Sequence, residues 1–198
     1  QGSDLISDLD LSGEGGEDKE KGRYRLWALL NHGNMRQETG SHVNTHGWNL
    51  AVGWTREDNV QGNRRFFSPF VEYGRGSYSS LLDDDTYGSG KFSYLGVGVI
   101  GRIERNDGGY IEGAIHGGKM RSDYTGSILP GTISTYDSSN PYYAAHLTVG
   151  KKMTLKTGDT ITPYFKYLWS HQNGMKATLN TGEEYDFSSV DSHRLRVG

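Results

Sequence analysis

Gly47-Trp-Asn-Leu-Ala-Val-Gly-Trp-Thr-Arg56 is the stretch on which the reading of this chain turns. Trp48, Leu50, Val52 and Trp54 share one parity; Asn49, Ala51, Gly53 and Thr55 share the other. Alternate residues of a strand face opposite sides, so one face here is wholly apolar and the other small or polar. Trp48 and Trp54 mark a rise of roughly 20 Å along an extended strand. Tilted, that approaches the apolar band of an outer-membrane barrel, about 25 Å tall with aromatic girdles at both edges. A β-sandwich strand with its Trp-rich face in a core fits the same alternation, and the rest of the chain has to separate the two.

Composition narrows the field. The chain has 198 residues with 29 Gly, 13 Tyr and only 4 Pro, enough for one β domain of ordinary size. Mean hydropathy is -0.70 and no apolar run reaches the length of a membrane helix. Barrel strands escape that test, because their alternation averages out as polar. The net charge of -3, with both signs dispersed, gives no footprint for nucleic acid. There is no Cys, hence no disulfide framework and no thiolate site. The chain starts at Gln1 without a signal peptide and is expected to be a piece of a longer polypeptide.

Residues 1–22 are acidic, Gly-rich and without strand pattern. Ser3 can cap a short helix carrying Leu5, Ile6 and Leu9, and Gly13 to Gly22 reads as a flexible charged linker. From Tyr24 the pattern is strand, turn, strand. Eight strand regions are expected, near 24–36, 43–56, 65–76, 91–105, 110–123, 142–152 and 160–173, with the last beginning near Ser192. Phe67, Pro69, Val71 and Tyr73 oppose Ser68, Phe70, Glu72 and Gly74; Leu95, Val97 and Val99 oppose Gly96 and Gly98; Tyr143, Ala145 and Leu147 oppose Ala144 and His146. The first region is ambiguous, since Leu26 to Leu30 is apolar on both faces.

Alternation alone does not tell inside from outside, but the connections help. Asp58–Asn63, Asn106–Gly109 and Lys156–Asp159 read as short polar turns, and longer connections fall near Ser77–Gly90, Thr125–Asn140 and Gly174–Asp191. Short and long alternate, as in outer-membrane barrels with short periplasmic turns and longer extracellular loops. On that reading Trp48, Leu50, Val52, Trp54, Tyr73, Leu95, Val97, Val99, Tyr143 and Leu147 face lipid. Glu72, Arg102, Glu104, Glu112, His116, His146, Lys166, Arg194 and Arg196 take the polar parity and line a lumen, some paired across strands because buried charges need partners. On a soluble sheet the same residues form a solvated face.

Other motifs carry less. Gly96-Val-Gly98-Val-Ile-Gly101 has the spacing of a dinucleotide fingerprint, but that mechanism needs a helix opening at the glycines, and Arg102-Ile-Glu-Arg continues a strand. Asp191-Ser-His193 holds the residue types of a hydrolase triad, yet neighbours on a strand point to opposite faces. His42, Asn44 and His46 share a face near a strand end without a third strong ligand, and Asp83-Asp-Asp85 lacks calcium-loop spacing. No cofactor, no metal and no catalytic residue is expected.

Taken together, Trp27-Ala-Leu-Leu-Asn31, Thr39-Gly-Ser-His-Val43 and Gly47 to Gly53 resemble the opening hairpin of the autotransporter β-domain, the translocator of type V secretion. Phe70-Val-Glu-Tyr-Gly74, Tyr94-Leu-Gly-Val-Gly98, Gly101-Arg102, Asn140-Pro-Tyr-Tyr143, Tyr164-Phe-Lys-Tyr167, Ser170-His-Gln-Asn-Gly174 and Val190 to Gly198 follow in the family's order. The resemblance implies an all-β, antiparallel, up-and-down transmembrane barrel of twelve strands, of which 23–198 supply about eight. It implies a lumen holding a helix that leads to an N-terminal passenger, with 1–22 as linker and Asp4–Leu11 a remnant of that helix. The implied location is the outer membrane of a Gram-negative cell, and the implied partners are membrane lipids, lipopolysaccharide, the barrel assembly machinery and the passenger itself. The first and last strand regions are expected not to pair with each other; their edges meet another chain, such as an assembly factor, or lie in a partly formed sheet. The alternatives are a soluble β-sandwich or lipocalin-like barrel binding a small ligand, and an outer-membrane esterase or protease, for which no nucleophile–base pair is evident.

Overall fold

The computed structural model describes residues 23–39, 41–81, 87–129, 132–155, 157–178 and 184–198. In chain order the strands are β1 (Arg23–Thr39), β2 (Ser41–Val60), β3 (Asn63–Leu81), β4 (Tyr87–Glu104), β5 (Gly109–Leu129), β6 (Thr132–Lys151), β7 (Met153–Thr154), β8 (Thr160–Ile161), β9 (Tyr164–Gln172), β10 (Met175–Thr178), β11 (Glu184–Phe187) and β12 (Val190–Val197). Eight of them form one antiparallel sheet in the order β1-β2-β3-β4-β5-β6-β9-β12; β7 with β8 and β10 with β11 make two small ribbons. β1 and β12 are the two edges and do not pair with each other, as the sequence reading expected. Among the described residues the main sheet is accompanied by only these two short ribbons and no sheet packs face to face against it, which excludes the sandwich alternative. The helix expected near Ser3 to Leu9, the linker Gly13 to Gly22 and Asp83-Asp-Asp85 lie outside the described residues.

Three of the expected boundaries need correction. Ser77–Gly90 and Thr125–Asn140 are not mainly loops: β3 runs on to Leu81, β4 starts at Tyr87, β5 reaches Leu129 and β6 starts at Thr132. Gly174–Asp191 likewise contains the β10–β11 ribbon. Their polarity read as loop, but ladder hydrogen bonding is indifferent to polarity where both faces meet water. Tyr78 stands in register with Gly90, and Tyr124 with Tyr136. The expected strand at 160–173 is also broken. Pro163 offers no N–H to a ladder, so Thr160–Ile161 folds back on β7 while β9 begins at Tyr164.

The opposite end of the sheet is closed by tight turns. Gln61 (φ 54°) and Gly62 (φ 81°) both adopt positive φ, the requirement of the two-residue hairpin turn whose twist matches the strands. A Cβ on Gly62 would strike the Asn106 side chain. Arg105 and Gly109 close the β4–β5 turn through Arg105 N–H to Gly109 O, 2.8 Å, with Gly108 at φ 84°.

The two faces differ in kind. One carries Leu26, Leu30, Trp48, Val52, Trp54, Phe67, Val71, Tyr73, Leu95, Val97, Ile115, Tyr143, Leu147, Phe165, Leu195 and Val197, all exposed. Leu50 and Val99 sit on the same face, half-buried. Val97 and Ile115 are each 63% exposed. Along β4 this apolar run spans Leu95 to Ile103, roughly 26 Å of strand, or about 20 Å of height at a barrel's usual tilt. The other face is where burial is found. Ala51, Phe66, Phe70, Ile100 and Ala114 form a small core against which Trp27 packs. Around them are buried Asn49, Thr55, Ser68, Glu72, Glu112, His116, Asn140, His146, Thr148 and Lys166. A soluble ligand-binding barrel keeps its apolar face inside; this sheet is inverted.

Placing a charge in the apolar band measures that inversion. Val97→Arg is expected to lower the folding free energy in lipid vesicles by about 2–4 kcal/mol, read by denaturant titration, whereas Lys91→Arg, beyond the band, leaves it unchanged.

Candidate functional site

Side chains on the buried face cross between strands because glycines let them. Glu72 is in register with Gly96, Gly96 with Gly118, and Gly118 with Tyr142. With no side chain on the two intervening strands, the Tyr142 ring lies across both. Its hydroxyl donates to Glu72 Oε1 at 2.7 Å. A Cβ on Gly96 would collide with that hydroxyl. His116 Nδ1 approaches the same oxygen at 2.7 Å, so Glu72, only 3% exposed, is held by two donors from β5 and β6. A bond from β3 to β6 spans three strand spacings, roughly 14 Å on a flat sheet. The sheet is therefore strongly curved, and this face is concave.

The same device recurs. Trp27 covers Gly53 and donates its indole N–H to Ser68 Oγ at 2.8 Å, where Thr55 Oγ1 also donates at 2.9 Å. Tyr94 covers Gly74, Phe70 and His116 flank Gly98, and Tyr110 covers Gly150. These inward glycines do not widen the lumen: each is the seat of an aromatic ring. That seating also accounts for Gly96 and Gly98 of the apparent dinucleotide motif, which lie mid-strand in β4.

Toward the tight-turn end the concave face carries a chain of alternating acidic and basic side chains across five strands. Glu57 Oε1 accepts from Arg64 Nε at 2.9 Å, and Arg64 Nη1 reaches Glu104 Oε2 at 3.1 Å. Arg102 Nη2 meets Glu104 Oε1 at 2.8 Å and its Nη1 meets Glu112 Oε2 at 3.3 Å. Glu112 Oε1 lies 3.1 Å from His146 Nε2. Arg102 also stacks over the Tyr110 ring at 4.2 Å. Glu112 and His146 are buried, which the pairing makes tolerable. Lys166 is buried beside Tyr164, its ammonium 5.8 Å from the ring centroid. Arg194 and Arg196 share this parity, in register with Leu168 and Lys166, but are exposed because β12 is an edge.

Toward the long-hairpin end the face encloses a cavity of about 350 Å³. Asn31 of β1, Glu72, His116 and Tyr142 from the middle, and Ser170 and Gln172 of β9 all border it, so the two ends of the sheet curl toward one another.

The minor motifs separate as expected from strand geometry. Asp191 bonds His171 Nδ1 at 2.9 Å and receives Trp169 Nε1 at 3.3 Å, while His193 Nδ1 lies 2.7 Å from the Tyr167 hydroxyl; Ser192 points the other way. His46 Nδ1 lies 2.8 Å from Asn34 Oδ1, and the His42 side chain is outside the described residues. Among the described residues no three His, Asp or Glu side chains gather to hold a metal ion. Tyr142, Tyr94, Trp27, Glu57 and Arg64 were not singled out by the sequence reading. The available signal was an aromatic of inward parity opposite a glycine.

A polar, paired concave wall beneath an apolar convex band is the geometry of a membrane barrel. The autotransporter β-domain family model matches residues 26–198. The chain belongs to this family. No curated protein matches its sequence. Among solved structures it is similar to the β-domain of the Bordetella autotransporter BrkA, at 17% identity and a TM-score of 0.74, covering 88% of this chain and 69% of that one. It is also similar to the translocator domain of NalP from Neisseria meningitidis, at 16% identity and a TM-score of 0.62, covering 98% of this chain and 63% of that one. As an autotransporter β-domain the chain is an outer-membrane translocator, whose partner is its own passenger segment.

The Glu72 node offers a direct check on this wall. Tyr142→Phe removes one of two donors to a buried carboxylate and is expected to cost about 1–3 kcal/mol in denaturant titration, with the strand content by circular dichroism unchanged.

Proposed function

We propose that the concave wall lines the passage used by the passenger, and that the convex band seals the domain in the outer membrane. The observation that carries this is the inversion: Glu72, Arg102, Glu104, Glu112, His116, His146 and Lys166 on one face, Trp48, Leu50, Val52, Trp54, Tyr73, Leu95, Val97, Val99, Tyr143 and Leu147 on the other. Arg194 and Arg196 extend the first set along β12. A passage walled by mutually satisfied charges and fixed rings offers polar chain a wet route without binding it tightly. Residues 1–22 then serve as the link between wall and passenger, with 23–198 as the barrel part.

The cavity is small for this task. A helix with its side chains is about 10–12 Å across, and the cavity of about 350 Å³ is bordered by strands from both ends of the sheet. A passage for such a segment calls for β1 and β12 to stand further apart, with other strands between them, as in a twelve-stranded barrel. The exposed edges support the same reading. Leu26, Leu30, Leu195 and Val197 place both edges inside the apolar band, where unpaired backbone groups are too costly to remain. Further strands, or the open sheet of the barrel assembly machinery, would pair them. The domain itself performs no catalysis on this reading, its polar groups being spent on one another.

Crosslinking within the whole autotransporter tests the assignment of faces. Cys at Ala144, on the concave face, is expected to form a disulfide with a Cys in a stalled passenger, and Cys at Val97 is not. Crosslinking from Val97, or from both equally, overturns it.

A further inference from the structure

The two borders of the apolar band differ in a way the translocator role does not require. At the tight-turn border two outward-facing cations have acidic partners, Arg56 with Asp58 at 3.0 Å and Arg105 with Asp107 at 3.7 Å, while Lys151 is exposed in register with Gly109. Arg65 stands in register with Asp58. At the long-hairpin border stand Arg75, Lys91, Lys119 and Arg121, all exposed, and none makes an ion pair or hydrogen bond with a described residue.

Their positions are fixed by register. Arg75 on β3 and Arg121 on β5 are both in register with Ser93 on β4, so the two guanidinium stems rise on either side of a small residue, about 10 Å apart at Cα. Lys119 is in register with Leu95, one row nearer the band; Lys91 lies one row further out, beside Asp123. Asp123, with Asp137 in register next to it on β6, is the acidic counterweight, and it stands outward of the arginine row rather than within it. Directly beneath the cluster Tyr73, Leu95 and Val97 are exposed and apolar. Elsewhere along the same border the outward side chains that the structure describes include Asn34, Ser139 and Asp191, with His32, His46 and His171 among them. Among the described residues, Arg75, Lys119 and Arg121, with no acid in register, and Lys91 beside Asp123 thus cluster on three adjacent strands, at the height where hydrocarbon gives way to headgroups.

We propose that Arg75, Lys91, Lys119 and Arg121 form a seat for the phosphates of lipopolysaccharide, with the acyl chains lying on Leu95 and Val97 below. This rests on the outer-membrane reading, which puts the long-hairpin end in the outer leaflet. Arginine forks match phosphate geometry, and each basic group close to an anionic lipid surface strengthens the association. Ser93 leaves the gap between the forks open for the anion. At the turn end Arg56 and Arg105 are already paired with carboxylates, which weakens their hold on an anionic lipid.

The test uses the whole autotransporter extracted from outer membranes in mild detergent, with bound lipid counted by native mass spectrometry after adding diphosphoryl lipid A or its dephosphorylated form. The expectation is preferential retention of the diphosphoryl form by about tenfold or more. That preference is lost in R75Q/K91Q/K119Q/R121Q and kept in R56Q/R65Q/R105Q. R75Q/R121Q alone, a milder change, is expected to lose most of it, and heat-modifiable migration on gels confirms that each variant is folded. Equal retention of both lipid forms by the wild type, or equal losses in the loop-end and turn-end variants, overturns the proposal. Recovery of the wild type in the outer-membrane fraction tests the underlying reading separately.

Discussion

In a hydrocarbon medium no water is available to a backbone N–H or C=O, so a spanning chain must satisfy every such group with itself. That constraint shapes this molecule more than any side chain does. It calls for an antiparallel ladder through the apolar band, and the register from β1 to β12 runs through the band strand by strand, interrupted between β2 and β3 where Pro69 has no N–H to give. It also frees the side chains to invert. With the ladder supplying cohesion, the convex face needs only to be apolar, and the concave face is left to hold polar groups that would be intolerable in a soluble core unless paired.

Pairing on that face depends on the absence of side chains as much as on their presence. A Glu on β3 can be satisfied by a Tyr on β6 only because Gly96 and Gly118 remove what would stand between them. Trp27 over Gly53 and Tyr94 over Gly74 repeat the arrangement. Rings lying along the wall stiffen it and cover the buried carboxylates Glu72 and Glu112. The alternating run from Glu57 to His146 ties five strands together near the turns, with each arginine shared between two acids. Removing one member of such a run leaves an unpaired buried charge, a larger loss than any single pair contributes.

How much of this could be read from the chain follows from the range of each interaction. Which residues share a face is a local property with period 2, so Trp48, Val52 and Trp54 separate from Asn49, Ala51 and Gly53 without any structure. The number of strands in the main sheet, the tight turns and the family order were legible for the same reason. Strand length was not: the Ser-, Gly- and Tyr-rich stretches beyond the band, such as Gly74 to Leu81, carry no hydrophobic pattern although their ladder continues. Trp27 was hidden by Leu26 to Leu30, apolar on both faces, and only its contact with Ser68 assigns it inward. Tyr142 and Glu72 are separated by 70 positions, and their bond exists only once four strands are in register.

The central claim is that the convex face meets lipid and the concave face does not, and the four tryptophans report on it. Trp48, Trp54 and Trp169 have outward parity, and Trp27 has inward parity against Ser68 and Phe70. The most direct measurement is fluorescence quenching by brominated acyl chains in single-tryptophan variants of the membrane-embedded domain. The account predicts strong quenching of Trp54, Trp48 and Trp169 and little quenching of Trp27. Quenching of Trp27 as strong as that of Trp54, or protection of all four, would contradict it.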